Sequence, residues 1–245
     1  MKNIIKWGFI SAAIIVVGLV IFAFARTWNK TELEFLVHIN EELVQQSLFG
    51  ESPTFAIWLE DPDNGKTYTA YATRRIATGD WEGKADVPVA LPSWSEIFKT
   101  EKNNRSGDAG MAGDELISTG ATPLPGYFRT RVRVKPGSEW IIWIEYNLSG
   151  DFNESYPEYN PETHVEDEWG MGQPALLLRA EIEAVKDMKA IPEISGMCVI
   201  DPEGRVVVEP LLGITTATEV LDEVSISVLK PKPRIINKPI LKIQD

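Results

Sequence analysis

Apolar and polar residues follow two different rhythms along this chain. From Trp7 to Ala25 nearly every residue is apolar, with Lys2 and Lys6 before the run and Arg26 after it. Nineteen residues in a helix rise about 28 Å, close to the roughly 30 Å hydrocarbon core of a bilayer. Beyond it the period drops to two. Leu33, Phe35, Val37 and Ile39 alternate with Glu32, Glu34, His38 and Asn40, the pattern of a half-buried strand.

Short apolar runs then recur between turn signals. Thr54–Glu60 and Thr67–Arg74 flank Asp61-Pro62-Asp63-Asn64-Gly65-Lys66, and Asn-Gly between apolar runs predicts a β-hairpin. Tyr127–Val134 and Glu139–Asn147 flank Lys135-Pro136-Gly137-Ser138, which predicts a second hairpin. Arg129, Arg131 and Arg133 fall on one face of its first strand. They are expected to point to solvent and guard a sheet edge against unwanted pairing. Residues 174–185, 204–209 and 220–229 read as further strands. Ser93, with Glu96 three residues on, predicts a capping box opening a short helix through Phe98. The stretches 79–92, 102–113 and 148–173 read as irregular. Seven or eight short strands with frequent Gly and Pro predict an all-β, two-sheet sandwich of immunoglobulin-like type, preceded by one transmembrane helix.

Charge divides the chain into three parts: a membrane anchor over 1–30, a sandwich domain over 31–229 and a basic, proline-containing tail over 230–245. The middle part carries 15 basic against 35 acidic residues. That balance repels nucleic acid and excludes it as a partner class. The leading lysines place the N-terminus in the cytoplasm and the domain outside it, as in a single-pass membrane protein. Ala23-Phe24-Ala25 also has the small-x-small form of a signal-peptide cleavage site, so anchor and cleaved signal stand as alternatives. A lone cysteine, Cys198, provides no disulfide framework and reads as a core side chain.

The sequence contains no nucleophile elbow, phosphate-binding loop, dinucleotide fingerprint or cysteine zinc spacing. Two histidines leave few candidates for general acid–base catalysis, so no enzymatic activity is expected. In the acidic loop, Asp151, Asn153, Ser155 and Glu162 occupy positions one, three, five and twelve of a calcium-loop pattern. Tyr156 stands where that loop needs glycine, which excludes an EF-hand. Asp151, Asn153 and Glu154, with Glu166, Asp167 or Glu168, form the candidate set for a less regular calcium site. Tyr156, Tyr159 and Trp169 in the same loop are candidate partner contacts, because aromatic side chains supply contact area at low entropic cost. Thr122 closes the stretch Ser118-Thr119-Gly120-Ala121-Thr122. This resembles the Ser/Thr-Gly-Ala-Thr motif on which membrane electron-transfer subunits carry covalent flavin mononucleotide. The resemblance implies FMN on Thr122, although Leu116 stands where that motif usually has aspartate. A proline-rich turn through Pro123 and Pro125 is the structural alternative.

Several segments together resemble an uncharacterised family of bacterial exported domains. They are Phe55–Asp61, Gly120-Ala121-Thr122-Pro123 with Pro125-Gly126, Glu145-Tyr146-Asn147, Asp151–Pro157 and Gly172–Leu176. The resemblance implies an immunoglobulin-like sandwich outside the cytoplasm, often encoded beside extracytoplasmic flavin and electron-transfer proteins. It also implies that the membrane is a bacterial cytoplasmic one. It carries no catalytic residues. The function expected is a membrane-tethered, non-catalytic binding or accessory module with a protein partner in the cell envelope. A covalent-FMN electron carrier is the alternative.

Overall fold

The structure, a computed structural model, describes residues 2–78, 89–106, 119–120, 122–233 and 241–242. Helix α1 spans Lys2–Thr27. Its side chains are described from Ala13 onward, and among the described residues no helix is long and apolar enough to cross a membrane. Three residues later β1 (Thr31–Ile39) begins. It is followed by α2 (Glu41–Gln46), β2 (Thr54–Glu60), β3 (Thr67–Thr73), α3 (Arg74–Thr78), α4 (Pro92–Ser106) and the short β4 (Thr119–Gly120). Next come β5 (Gly126–Val134), β6 (Glu139–Asn147), the two-residue β7 (Tyr159–Asn160) and β8 (Val165–Glu166), and β9 (Ala175–Glu183). The chain ends with β10 (Lys189–Ala190), β11 (Glu193–Ile200), β12 (Val206–Glu209), β13 (Leu221–Leu229) and β14 (Leu241–Lys242).

These strands make a β-sandwich. The smaller sheet has the order β10-β13-β1-β5-β14 and the larger β12-β11-β9-β6-β2-β3-β4, with β7 and β8 pairing apart from both. Alternation decides what lies between the sheets. Leu33, Phe35, Val37 and Ile39 of β1 are fully buried and join Phe55, Ile57 and Leu59 of β2 and Ile142, Ile144 and Tyr146 of β6 in one apolar cluster.

The second predicted hairpin does not form. β5 pairs with β1, whereas β6 pairs with β2 and β9. The turn Lys135–Ser138 therefore carries the chain from one sheet to the other. It is pinned at the end of β9, where Gly137 N donates to Ala184 O and Ala184 N to Ser138 O. Partner chemistry explains the choice. On β1, Glu32 lies opposite Arg133 and Glu34 opposite Arg131, so β5 gains opposite-charge cross-strand pairs there. β6, whose Trp140, Ile142, Ile144 and Tyr146 face the inter-sheet core, takes the centre of the larger sheet.

The arginine stripe is corrected accordingly. β5 lies between β1 and β14, which pairs with it at Val132 and Arg133, while Arg129 is exposed to solvent as expected. Arg133 is buried and donates to the buried Glu32 at 2.8 Å, and Arg131 Nε donates to Glu34 at 2.6 Å. Two other expectations change in extent. α4 runs past Phe98 to Ser106, and β11 occupies a stretch not expected as a strand. Most of 79–92, and the segment 107–113, lie outside the described residues.

Candidate functional site

β2, β3, β6, β9 and β11 turn a second set of residues away from the inter-sheet core. Ala56 and Trp58, Ala72, Leu177 and Cys198 form a separate apolar cluster with Leu91 and Trp94 of α4 and its lead-in. α4 thus makes a third layer over the larger sheet. Its first residue is Pro92, which lacks an N–H, and the following N–H groups have no partner within the helix. The sequence expectation gave the cap to Ser93. The acceptors come instead from β6: Glu145 accepts from Ser93 N at 3.0 Å and from Trp94 N at 2.7 Å. Ser93 Oγ donates to Cys198 Sγ at 3.1 Å, and Trp94 Nε1 to Thr69 Oγ1 at 3.2 Å.

Glu145 is fully buried. Desolvation pushes its carboxyl up to about 7, against the opposing pull of the Trp94 and Ser93 N–H groups. Burial, then the neighbouring Glu145 charge, pushes the Cys198 thiol well above its ordinary value. A nucleophilic cysteine needs the reverse shift, and the contacts of this trio hold the start of α4 on the larger sheet.

Beside Cys198 the surface opens into a cleft of about 410 Å³. It is lined by Pro92 and Cys198 together with Tyr156, Pro157, Trp169 and Met171 of the acidic loop, with Glu166 and Asp167 also in its wall. Side-chain hydrogen bonds hold that loop. Asp167 accepts from Trp169 N, Gly170 N and Gly172 N at 3.1, 3.0 and 2.8 Å, which sets the turn presenting Trp169. Asn153 Oδ1 accepts from Ser155 N and Tyr156 N, and its amide donates to Gly213 O and Thr215 Oγ1. Tyr156 is half-buried, and its hydroxyl donates to Leu212 O at 2.8 Å.

A second knot lies at the foot of the loop. Asp151 accepts from Gln173 Nε2 at 2.8 Å and from Thr216 Oγ1 at 2.7 Å, and buried Gln173 accepts from Thr215 N at 2.7 Å. Desolvation raises the Asp151 carboxyl, and the Thr216 and Gln173 bonds oppose the rise. Gly172 sits at φ +72° with the Asp151 carbonyl oxygen 2.4 Å from where a Cβ would lie, so only glycine fits this crossing. The segments Asp151–Pro157 and Gly172–Leu176, far apart in the chain, therefore interlock.

The residues singled out from sequence separate here. Tyr156 and Trp169 share the cleft wall. Tyr159 stands exposed on the β7–β8 hairpin, its hydroxyl 2.9 Å from His164 Nδ1. Asp151 and Asn153 spend their oxygens on the loop's own hydrogen bonds, and Glu154 is exposed. Among the described residues no group of three or more His, Cys, Asp or Glu stands close enough to hold a metal ion. Thr122 is half-buried between β4 and β5, and its motif neighbours Ser118 and Ala121 lie outside the described residues. Sequence reasoning missed Glu145 as an anchor. The signal was present as one carboxylate inside Trp-Ile-Ile-Trp-Ile-Glu-Tyr, a strand otherwise apolar on both faces.

No protein-family model matches the chain, and no curated protein or solved structure matches it significantly.

Proposed function

We propose that this chain is a membrane-tethered, extracytoplasmic binding module of a bacterial cell envelope, non-catalytic and of immunoglobulin-like type, that offers its Tyr156–Trp169 cleft to a protein partner. The observation that carries this reading is the contrast within the acidic loop. Its backbone is locked by Asp151, Asn153, Asp167 and Gln173, while Trp169 and Tyr156, each half-buried against an apolar cluster, line an open cleft. A preorganised aromatic wall costs little entropy on binding. The tether is supported by the apolar run Trp7–Ala25 and by the helix over Lys2–Thr27. Association with an envelope redox system is supported by the sequence resemblance.

The full-length protein from its native membrane tests the reading. Intact mass is expected to give a chain starting at Met1 without adduct. A single partner is expected to cross-link to a photoreactive residue placed at Trp169. Trp169→Ala should weaken that partner by about thirtyfold, the scale of an interface hot spot, while shifting the unfolding midpoint by no more than about 4 °C. Unfolding of Trp169→Ala would make the loop purely structural. An adduct of flavin mononucleotide mass that disappears in Thr122→Ala would make the protein an electron carrier instead.

A further inference from the structure

One end of the sandwich is marked by chain geometry. Only Trp28, Asn29 and Lys30 separate α1 from β1, a reach of at most about 11 Å. The first residues of β1 lie opposite Val134 at the end of β5 and Leu229 at the end of β13. β13 in turn holds the turn after β9, with Asp187 N donating to Val228 O and Val228 N to Met188 O. These chain segments therefore form one surface around the point where α1 leaves the domain.

Its composition is unlike the rest of the molecule. Trp28 is 76% exposed and Met188 44%. Lys30, Lys186, Lys189 and Lys230 are all exposed around them. Asp187 pairs with Lys186 at 3.3 Å. Further acids of this end, Asp61 and Asp63 on the β2–β3 turn and exposed Glu139 and Glu183 facing each other at the start of β6 and end of β9, lie on the larger-sheet side. The opposite end holds residues 151–173, with seven carboxylates and no lysine or arginine. β1 spans nine residues between the two ends, about 30 Å.

We propose that the end from which α1 emerges seats on an anionic lipid surface, with Trp28 and Met188 in the headgroup layer and Lys30, Lys186, Lys189 and Lys230 against lipid phosphates. The inference rests on the membrane tether proposed above. Tryptophan favours the bilayer interface, where its ring is half wet, and lysines near anionic headgroups add attraction that salt screens. Seating this end directs the acidic cleft away from the bilayer. It also keeps like charges apart, because a carboxylate-rich loop is repelled by the same lipids.

The test uses full-length protein in nanodiscs made with neutral lipid alone or with one-third phosphatidylglycerol. A photoreactive residue replaces Met188 in one preparation and Glu158 in another. Position 188 is expected to give phospholipid adducts by mass spectrometry. Anionic discs should exceed neutral ones by at least about tenfold, and the excess should vanish at about 1 M salt, where screening shortens to about 3 Å. Position 158 should give none. The triple variant Lys186→Glu, Lys189→Glu, Lys230→Glu should lose the adducts at 188 while remaining in the discs. Equal labelling of 188 in both lipids, or none in discs that hold the protein, overturns the seating and leaves the tether standing. Protein that fails to enter the discs overturns the tether and the seating with it.

Discussion

The two faces of β6 are buried by different physics and to different extents: the inter-sheet face is buried throughout, the outer face fully only from Glu145 onward. Ile142, Ile144 and Tyr146 point between the sheets into a large cluster of apolar side chains, where the Tyr146 hydroxyl finds the Ala217 carbonyl at 3.0 Å. Glu145 points the other way, into the smaller cluster under α4, where both its oxygens accept from backbone N–H groups and the Ser93 and Cys198 side chains stand beside it. The inter-sheet face needs only shape and apolar area. The outer face needs a particular partner at a particular place, because a buried carboxylate without hydrogen bonds is far costlier than a poorly packed leucine. The first face makes a sandwich. The second fixes where α4 begins, and Pro92 at that start is also one wall of the cleft.

Neighbouring substitutions on β6 break the comparison most sharply. Ile144→Ala removes fully buried methyl groups from the centre of the inter-sheet core, at an expected cost of about 2–5 kcal/mol to the whole domain. Glu145→Ala leaves Ser93 N and Trp94 N without acceptors and opens a cavity, at an expected cost of about 2–4 kcal/mol. The two differ in where the loss appears. Urea unfolding measures both costs, and native-state hydrogen exchange locates them. Ile144→Ala should speed exchange in β1 and β6 alike, whereas Glu145→Ala should release α4 first. Equal loosening of β1 in both variants would mean that α4 and the sandwich form one cooperative unit.

A smaller effect follows from acidity. The Glu145 carboxyl is raised to about 7 in the folded protein from an ordinary value of 4.5. Between these values the folded chain holds a proton that the unfolded chain has released. Stability contributed by this group is therefore full below about pH 4.5, falls as pH rises, and levels off above about pH 7, a loss of up to about 3 kcal/mol. Asp151, also raised by desolvation, acts with the same sign. Asp201, lowered by the Arg205 backbone N–H, has the opposite sign and acts only in more acid solution. Urea midpoints measured from pH 5 to 8 should decline in the parent chain and nearly flatten in Glu145→Gln. An unchanged slope in Glu145→Gln would put the pH dependence elsewhere.

The same contrast explains what could be read from the sequence. Strands of the inter-sheet core were legible in two ways: Leu33 to Ile39 and Leu221 to Leu229 alternate, whereas Thr54 to Glu60, buried on both faces, stood out as an apolar run beside an Asn-Gly turn. The change of sheet between β5 and β6 was not, since a Pro-Gly turn suits a hairpin as well as an arch. What chose the arch was the fit of Arg131 and Arg133 to Glu34 and Glu32 about a hundred residues away. β11 was hidden by Gly196, which weakens a strand pattern. Here glycine is required, because a Cβ would lie 2.5 Å from the Glu209 carbonyl oxygen on β12. In the site, the aromatic residues of the acidic loop stood out by composition. Its locks, Gln173 and Gly172, and the cap supplied by Glu145 all depend on contacts between distant segments.

The mildest test asks which contact fixes the start of α4. Ser93 contributes two groups: its N–H to Glu145 and its hydroxyl to Cys198 Sγ. Sulfur is a weak acceptor, so Ser93→Ala, which keeps the N–H and loses the hydroxyl, should cost no more than about 1 kcal/mol. The unfolding midpoint should barely move, and alkylation of Cys198 by a thiol reagent should stay slow, since the thiol remains buried under α4. A large loss in Ser93→Ala, matching that of Glu145→Ala, would make the hydroxyl–thiol contact the anchor and the carboxylate its accessory. The expected order, with Glu145→Ala far above Ser93→Ala, fits a helix held by a buried carboxyl whose oxygens meet two backbone donors that the helix leaves unpaired. It also accounts for a glutamate in the apolar outer face of a central strand: α4 cannot begin where it does without an acceptor for those two N–H groups.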